Sequence, residues 1–143
     1  SRASEDFEKI RLAVEKAPFR PVVFLLQTGS HTMRRARAQF SAGFFGCAGY
    51  RIIENDACDN PEKGVEDALG AGAHIIVICS SDEEYAGMVP GILARAGGKA
   101  IIVIAGNPPE TEELKAKGLN FINLRSDMVA ALSYYNSCLG IKD

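Results

Sequence analysis

Two continuous β-branched runs, Ile75-Ile76-Val77-Ile78 and Ile101-Ile102-Val103-Ile104, restrict the fold of this chain more than any other feature. A strand with one face in water alternates apolar and polar residues. These runs carry no polar residue on either face, so both faces must be covered, which is the situation of strands in a parallel sheet with helices on each side. Three further apolar runs fit the same sheet, giving predicted strands at 22–27, 50–54, 74–80, 100–105 and 120–124. Helical spacing falls between and after them, at 32–45, 61–70, 83–96, 109–117 and 127–139. Gly70, Gly97 and Gly118 stand near helix ends, where a left-handed cap favours glycine. Asn60-Pro61 and Ser126-Asp127 supply helix starts. Five β/α units predict an open doubly wound α/β sheet with strand order 2-1-3-4-5 and right-handed connections.

Ahead of this domain, residues 1–19 read as a charged helical arm. Phe7, Ile10, Leu12 and Val14 are its only large apolar side chains, Ser4 with Glu5 and Asp6 form a plausible cap, and Pro18 and Pro21 end it. No methionine opens the chain. The arm is therefore expected to link a larger upstream region to the α/β domain of residues 20–143.

At 143 residues the chain can bury a core without staples. A net charge of −2 and a pI near 5.7 give no basis for binding nucleic acid or an anionic membrane. No apolar run approaches the roughly 20 residues that span a bilayer. Cys47, Cys58, Cys79 and Cys138 form no C-x-x-C pair and no metal-ligand cluster, and read as reduced structural thiols of a cytoplasmic protein.

In this architecture ligands bind beyond the carboxyl ends of the strands, at the switch between the first and third. Three loops meet there: 27–32, 80–84 and 106–109. Thr28-Gly29-Ser30-His31-Thr32 offers hydroxyls and N–H groups at a helix start, enough to cap the helix or to cradle a phosphate, but it is not a G-x-x-x-x-G-K-[ST] loop. Ser80-Ser81-Asp82-Glu83-Glu84 places acids at the positive end of a helix, where they are favourable and would repel a phosphate. In the third loop, Gly106 permits close approach and Pro108-Pro109 fix the exit. His31 stands at a loop tip with no acid beside it. His74 lies at the amino end of its strand and reads as structural. The positions after the first strand hold Gln27 and Thr28, which excludes an acidic phosphoacceptor site there.

From Arg20 to about Leu139 the chain resembles the cobalamin-binding domain of the acyl-CoA mutases, a flavodoxin-like fold. It is most similar to the small subunit of heterodimeric methylmalonyl-CoA mutases. The likeness rests on the five units, the histidine loop after the first strand, Ser80-Ser81 after the third and Ala105-Gly106 after the fourth. The second unit, from Arg51-Ile52-Ile53-Glu54-Asn55-Asp56 to Asp67-Ala68-Leu69-Gly70-Ala71-Gly72-Ala73, adds to it. The family's cobalamin motif is D-x-H-x-x-G, then S-x-L, then G-G. Here these read Gly29-Ser30-His31-Thr32-Met33-Arg34, Ser80-Ser81-Asp82 and Ala105-Gly106: the histidine persists, while the acid, one glycine and the leucine are replaced.

The resemblance implies a domain whose cobalamin positions, His31, Ser80, Ser81 and Gly106, have degenerated, with Met33 and Arg34 expected to fill the slot of the nucleotide tail. It implies a non-catalytic, structural role beside a large catalytic subunit that holds the adenosylcobalamin and interconverts methylmalonyl-CoA and succinyl-CoA. Two other readings stand beside it. One is a working cobalamin module with His31 as axial ligand of cobalt, its only metal role. The other is a flavin or phosphate binder using Thr28, Ser30 and Thr32, with Tyr85 as the aromatic nearest the ligand edge.

Overall fold

The structure is a computed structural model and describes residues 1–142. In chain order the elements are α1 (Arg2–Lys16), β1 (Val22–Gln27), α2 (His31–Gly46), β2 (Arg51–Glu54), α3 (Pro61–Gly70), β3 (Ile75–Cys79), α4 (Asp82–Ala96), β4 (Ile101–Ala105), α5 (Thr111–Ala116), β5 (Asn120–Ile122) and α6 (Met128–Cys138). The strands form one parallel sheet of order β2-β1-β3-β4-β5, the flavodoxin-like arrangement that the five units predict.

The isoleucine and valine runs are at its centre. Val77 lies opposite Leu25 on one side and Val103 on the other, and every residue of β3 is buried. Successive side chains leave a strand on opposite faces, so each run serves two cores. Val23, Leu25, Ile75, Val77 and Val103 pack with Phe44, Phe45, Leu132 and Tyr135 of α2 and α6. Phe24, Leu26, Ile76, Ile78, Ile102 and Ile104 pack with Val65, Tyr85, Val89, Ile92 and Leu114 of α3, α4 and α5. Each fully buried side chain of this size contributes about 1.5–3 kcal/mol relative to water. One buried polar pair crosses the first core: the Tyr50 hydroxyl donates to Asn136 Oδ1 at 2.6 Å.

Several ends differ from the sequence expectation. The cap of α1 is Ser1, whose hydroxyl accepts from the Ser4 amide at 3.3 Å, rather than Ser4. Gly70 stays helical, and Gly72 takes the left-handed position instead, at φ 78°. β5 stops at Ile122 because the chain turns: Asn123 N donates to Ser126 Oγ and Arg125 N to Asn123 Oδ1. Leu124 consequently leaves the sheet and is 91% exposed. Asn60, with Pro61 behind it, and Asp127 cap α3 and α6 as expected.

The amino-terminal helix is docked. Ile10, Ala13 and Val14 of α1 are buried in the core shared with α2 and α6, Arg20 Nε donates to Gly49 O at 2.8 Å, and Leu12 faces outward. His74 Nδ1 accepts from Val22 N at 3.0 Å and its ring lies 5.0 Å from that of Phe19, a structural use of the side chain. All four cysteines are free, and burial pushes the Cys79 thiol up to about 12. No helix among the described residues is long and apolar enough to cross a membrane.

Truncating the buried face of α1 should show that it belongs to the core. In urea unfolding, Ile10→Ala is expected to lower stability by about 2–4 kcal/mol, and Leu12→Ala by less than about 0.5 kcal/mol.

Candidate functional site

The helices that follow β1 and β3 go to opposite faces of the sheet, so their connecting turns part at the carboxyl edge. This is the switch point at which doubly wound folds open a crevice. Here the gap is crossed by side chains of the protein itself.

The first crossing is made by Glu84, in the first turn of α4. Its Oε1 accepts from Ser80 Oγ at 2.9 Å, Ser81 N at 3.3 Å, Ser81 Oγ at 2.5 Å and, across the gap, Ser30 N at 3.0 Å. Ser81 and Glu84 form a capping box, which explains the carboxylate's place on the helix end. The Ser30 amide adds a partner from another loop. That approach requires a glycine at position 29: its φ is 73°, and a Cβ there would collide with the Glu84 carboxylate and with Ser80 Oγ. The hydrogen bond from Ser81 first, then the Ser30 amide, with Ser80 adding to them, holds the Glu84 carboxyl down to about 2.

The second crossing is an ion pair. Arg37 Nη1 of α2 lies 3.0 Å from Asp82 Oδ1 and also donates to Ser80 O at 2.8 Å. Burial opposes the charge on Arg37, but Asp82 and the Tyr85 hydroxyl outweigh it and leave the guanidinium above its ordinary value. Asp82 Oδ1 accepts in addition from Asn107 N at 3.1 Å, which ties in the third loop. A Cβ on Gly106 would run into Asp82 Oδ1 and Arg37 Nη1, so the space over this glycine is filled by the pair.

Beneath both crossings lies Tyr85, fully buried, whose hydroxyl donates to Ala105 O at 2.6 Å and accepts from Ser80 N at 3.0 Å. It cannot stack on a ligand at the edge, contrary to the place the flavin reading gives it. The hydroxyls of the first loop do not converge either. Thr28 is buried and donates to Cys58 O at 2.7 Å, Ser30 Oγ caps α2 by accepting from Met33 N, and Thr32 is exposed.

His31 is the first residue of α2 and is exposed; among the described residues no partner orients its imidazole. Arg34 Nη1 turns back to donate to Gly29 O at 2.9 Å. A cleft of about 490 Å³ remains between α2 and the ends of β4 and β5, lined by Met33, Ala36, Phe40, Ile122, Asn123 and Leu124 together with Arg37 and Asp82. Gly106 borders this cleft and His31 does not. No group of three or more His, Cys, Asp or Glu side chains among the described residues is arranged to hold a metal ion.

No protein-family model matches the chain. A methylmalonyl-CoA mutase small subunit of Porphyromonas gingivalis is 45% identical over 143 residues, covering 99% of this chain and 23% of that protein. The chain is a relative of the methylmalonyl-CoA mutase small subunits. A second one, from Streptomyces virginiae, is 30% identical over 89 residues, or 59% of this chain and 14% of that protein. The chain thus spans less than a quarter of the length of either small subunit. Among solved structures, a de novo designed P-loop NTPase fold aligns with a TM-score of 0.44 and 10% identity, over 95% of this chain and 87% of the designed one.

Of the four positions that the resemblance to the mutases singles out, Ser80, Ser81 and Gly106 meet at one edge and His31 stands apart from them in contacts. The sequence reading missed Arg37 and the span of Glu84. The S-x-x-E spacing of Ser81 and Glu84 announces the capping box, and Arg37 lies one helical turn from Met33, on the same face of α2. Neither spacing announces the reach across to the neighbouring loop.

Because the folded Glu84 carboxyl titrates near 2 instead of 4.5, its contribution to stability is complete above about pH 4.5 and disappears as the pH falls toward 2. Urea midpoints measured from pH 2 to 7 should therefore rise less steeply between pH 2 and 4.5 in Glu84→Gln than in the unsubstituted protein.

Proposed function

We propose that this chain is the cobalamin-domain-like part of a methylmalonyl-CoA mutase small subunit, at its carboxyl-terminal end, and that its role is structural. In this reading it supports assembly with a large catalytic subunit in the cytoplasm, and the pair interconverts methylmalonyl-CoA and succinyl-CoA. The rearrangement runs on adenosylcobalamin held by the large subunit, and of the cobalamin positions of this domain Ser80, Ser81 and Gly106 have been given over to internal contacts while His31 is left exposed.

The observation that carries the reading is the Glu84 carboxylate inside the switch-point edge, held by donors from two loops. A corrinoid does not fit these residues. An axial imidazole is ordinarily fixed by a hydrogen bond at its second nitrogen, and His31 has no such partner among the described residues. The acid that would orient it is replaced by Gly29. The carboxylate that comes closest to that position is Glu84, and it is engaged by Ser30, Ser80 and Ser81. The clearance over Gly106 is taken by Arg37 and Asp82.

One observation favours the second reading, a working cobalamin module: the cleft beside α2 is open, with Met33 on its wall rather than across it. Spectral titration with adenosylcobalamin separates the two. The structural reading expects no change in the corrin absorption bands on adding the small subunit that contains this domain. A histidine-ligated spectrum that disappears in His31→Ala would overturn it. Co-expression with the large mutase subunit should yield a complex that copurifies in equal amounts, and recovery of each chain alone would contradict the assembly role.

A further inference from the structure

We infer that Glu84 is a latch: an internal anion that occupies a nest of donors shared by two loops and thereby shuts the carboxyl edge of the sheet against external anions. The inference deepens the closed-edge part of the functional reading and rests on that part alone; the assignment to a mutase is not used.

Three features of the geometry carry it. First, one carboxylate oxygen collects four donors, and they come from both sides of the switch point: Ser30 N from the β1–α2 turn, and Ser80 Oγ, Ser81 N and Ser81 Oγ from the β3–α4 turn. A helix cap needs only donors of its own turn. The Ser30 contact serves to join two loops that otherwise diverge to opposite faces of the sheet. Secondly, the backbone is fitted to the carboxylate. Gly29 adopts φ 73°, and any side chain there would strike Glu84. Thirdly, of the other two hydroxyls of the first loop, Thr28 is committed to Cys58 O and Thr32 is exposed, while the neighbouring charged contact to the β3–α4 turn, from Arg37 to Ser80 O and Asp82, starts on α2 and not on the loop. Oriented N–H and O–H groups around a space of carboxylate size form an anion-binding concavity. The protein fills it from within, at an effective concentration that a dilute external carboxylate or phosphate cannot match.

The same contact fixes where His31 stands. The residue follows Ser30 directly, and Ser30 is held at both its amide, by Glu84, and its side chain, by Met33 N. Release of Glu84 therefore frees the start of α2 and opens the nest together.

Chemical complementation tests this. Melting temperatures of the unsubstituted protein, Glu84→Ala and Glu83→Ala are measured against sodium acetate and inorganic phosphate, with sodium chloride keeping the ionic strength constant. Glu83 is an exposed acid on the same helix turn and makes none of the nest contacts. Glu84→Ala is expected to melt below the other two and to regain more than half of that loss along a saturating acetate curve, while the other two respond only as they do to chloride. An acetate response equal in all three proteins would overturn the latch. Should Glu84→Ala fail to fold, Glu84→Gln keeps the shape and loses the charge. Trypsin cleavage after Arg34 and Arg35 should then be several-fold faster than in the unsubstituted protein, and an unchanged rate would overturn the proposal. Neither result depends on whether cobalamin binds, so a failed latch and a failed structural reading are told apart.

Discussion

A single carboxylate oxygen keeps shut the edge at which a sheet of this order opens. The strand order alone would leave a crevice between the β1 and β3 turns, since α2 and α4 depart to opposite faces. Glu84 closes it by taking donors from both turns, and Arg37 with Asp82 closes the neighbouring stretch over Gly106. The two closures share Ser80. Its hydroxyl donates to Glu84, its carbonyl accepts from Arg37, and its amide donates to the Tyr85 hydroxyl below. A buried serine thereby connects two charged contacts to the core.

The glycines of the edge acquire a different meaning from this. A glycine beside a ligand site is usually read as room for the ligand. At Gly29 and Gly106 the room is real, but the atoms that use it are Glu84 on one side and the Arg37–Asp82 pair on the other. A glycine at such a position permits something to approach closely, and the structure supplies the identity of what approaches. The opening that persists lies farther along the edge, against α2 and the ends of β4 and β5. There an apolar wall of Met33, Phe40 and Ile122 meets the exposed Leu124.

The sheet was legible in the residues because its signal is redundant. Ile75 to Ile78 and Ile101 to Ile104 are apolar at every position, and no arrangement other than burial on two faces accommodates them. The ends of elements were less so, since they depend on which of several capping side chains closes the turn. Ser1 rather than Ser4 caps α1, and the Asn123–Ser126 turn, not apolar content, ends β5. The docking of α1 was underestimated for a related reason: its buried stripe is thin, and Ala13, which a search for large apolar residues passes over, is part of it. The candidate site was legible as a place and not as an arrangement. The loops could be named from strand order. That Glu84 would reach Ser30 and that Arg37 would reach Ser80 and Asp82 are outcomes of three-dimensional fit between segments 43 to 54 residues apart in sequence.

The account as a whole depends on the contact between the Glu84 carboxylate and the Ser30 amide, and that contact can be followed directly by nuclear magnetic resonance. The Ser30 amide proton should be protected from exchange although it lies in a turn, and its chemical shift should follow an acid titration with a midpoint near 2, well under the ordinary glutamate value of 4.5. A Ser30 amide that exchanges as freely as an exposed loop residue, with a shift insensitive to pH below 4.5, would contradict the closure from which the functional reading is built.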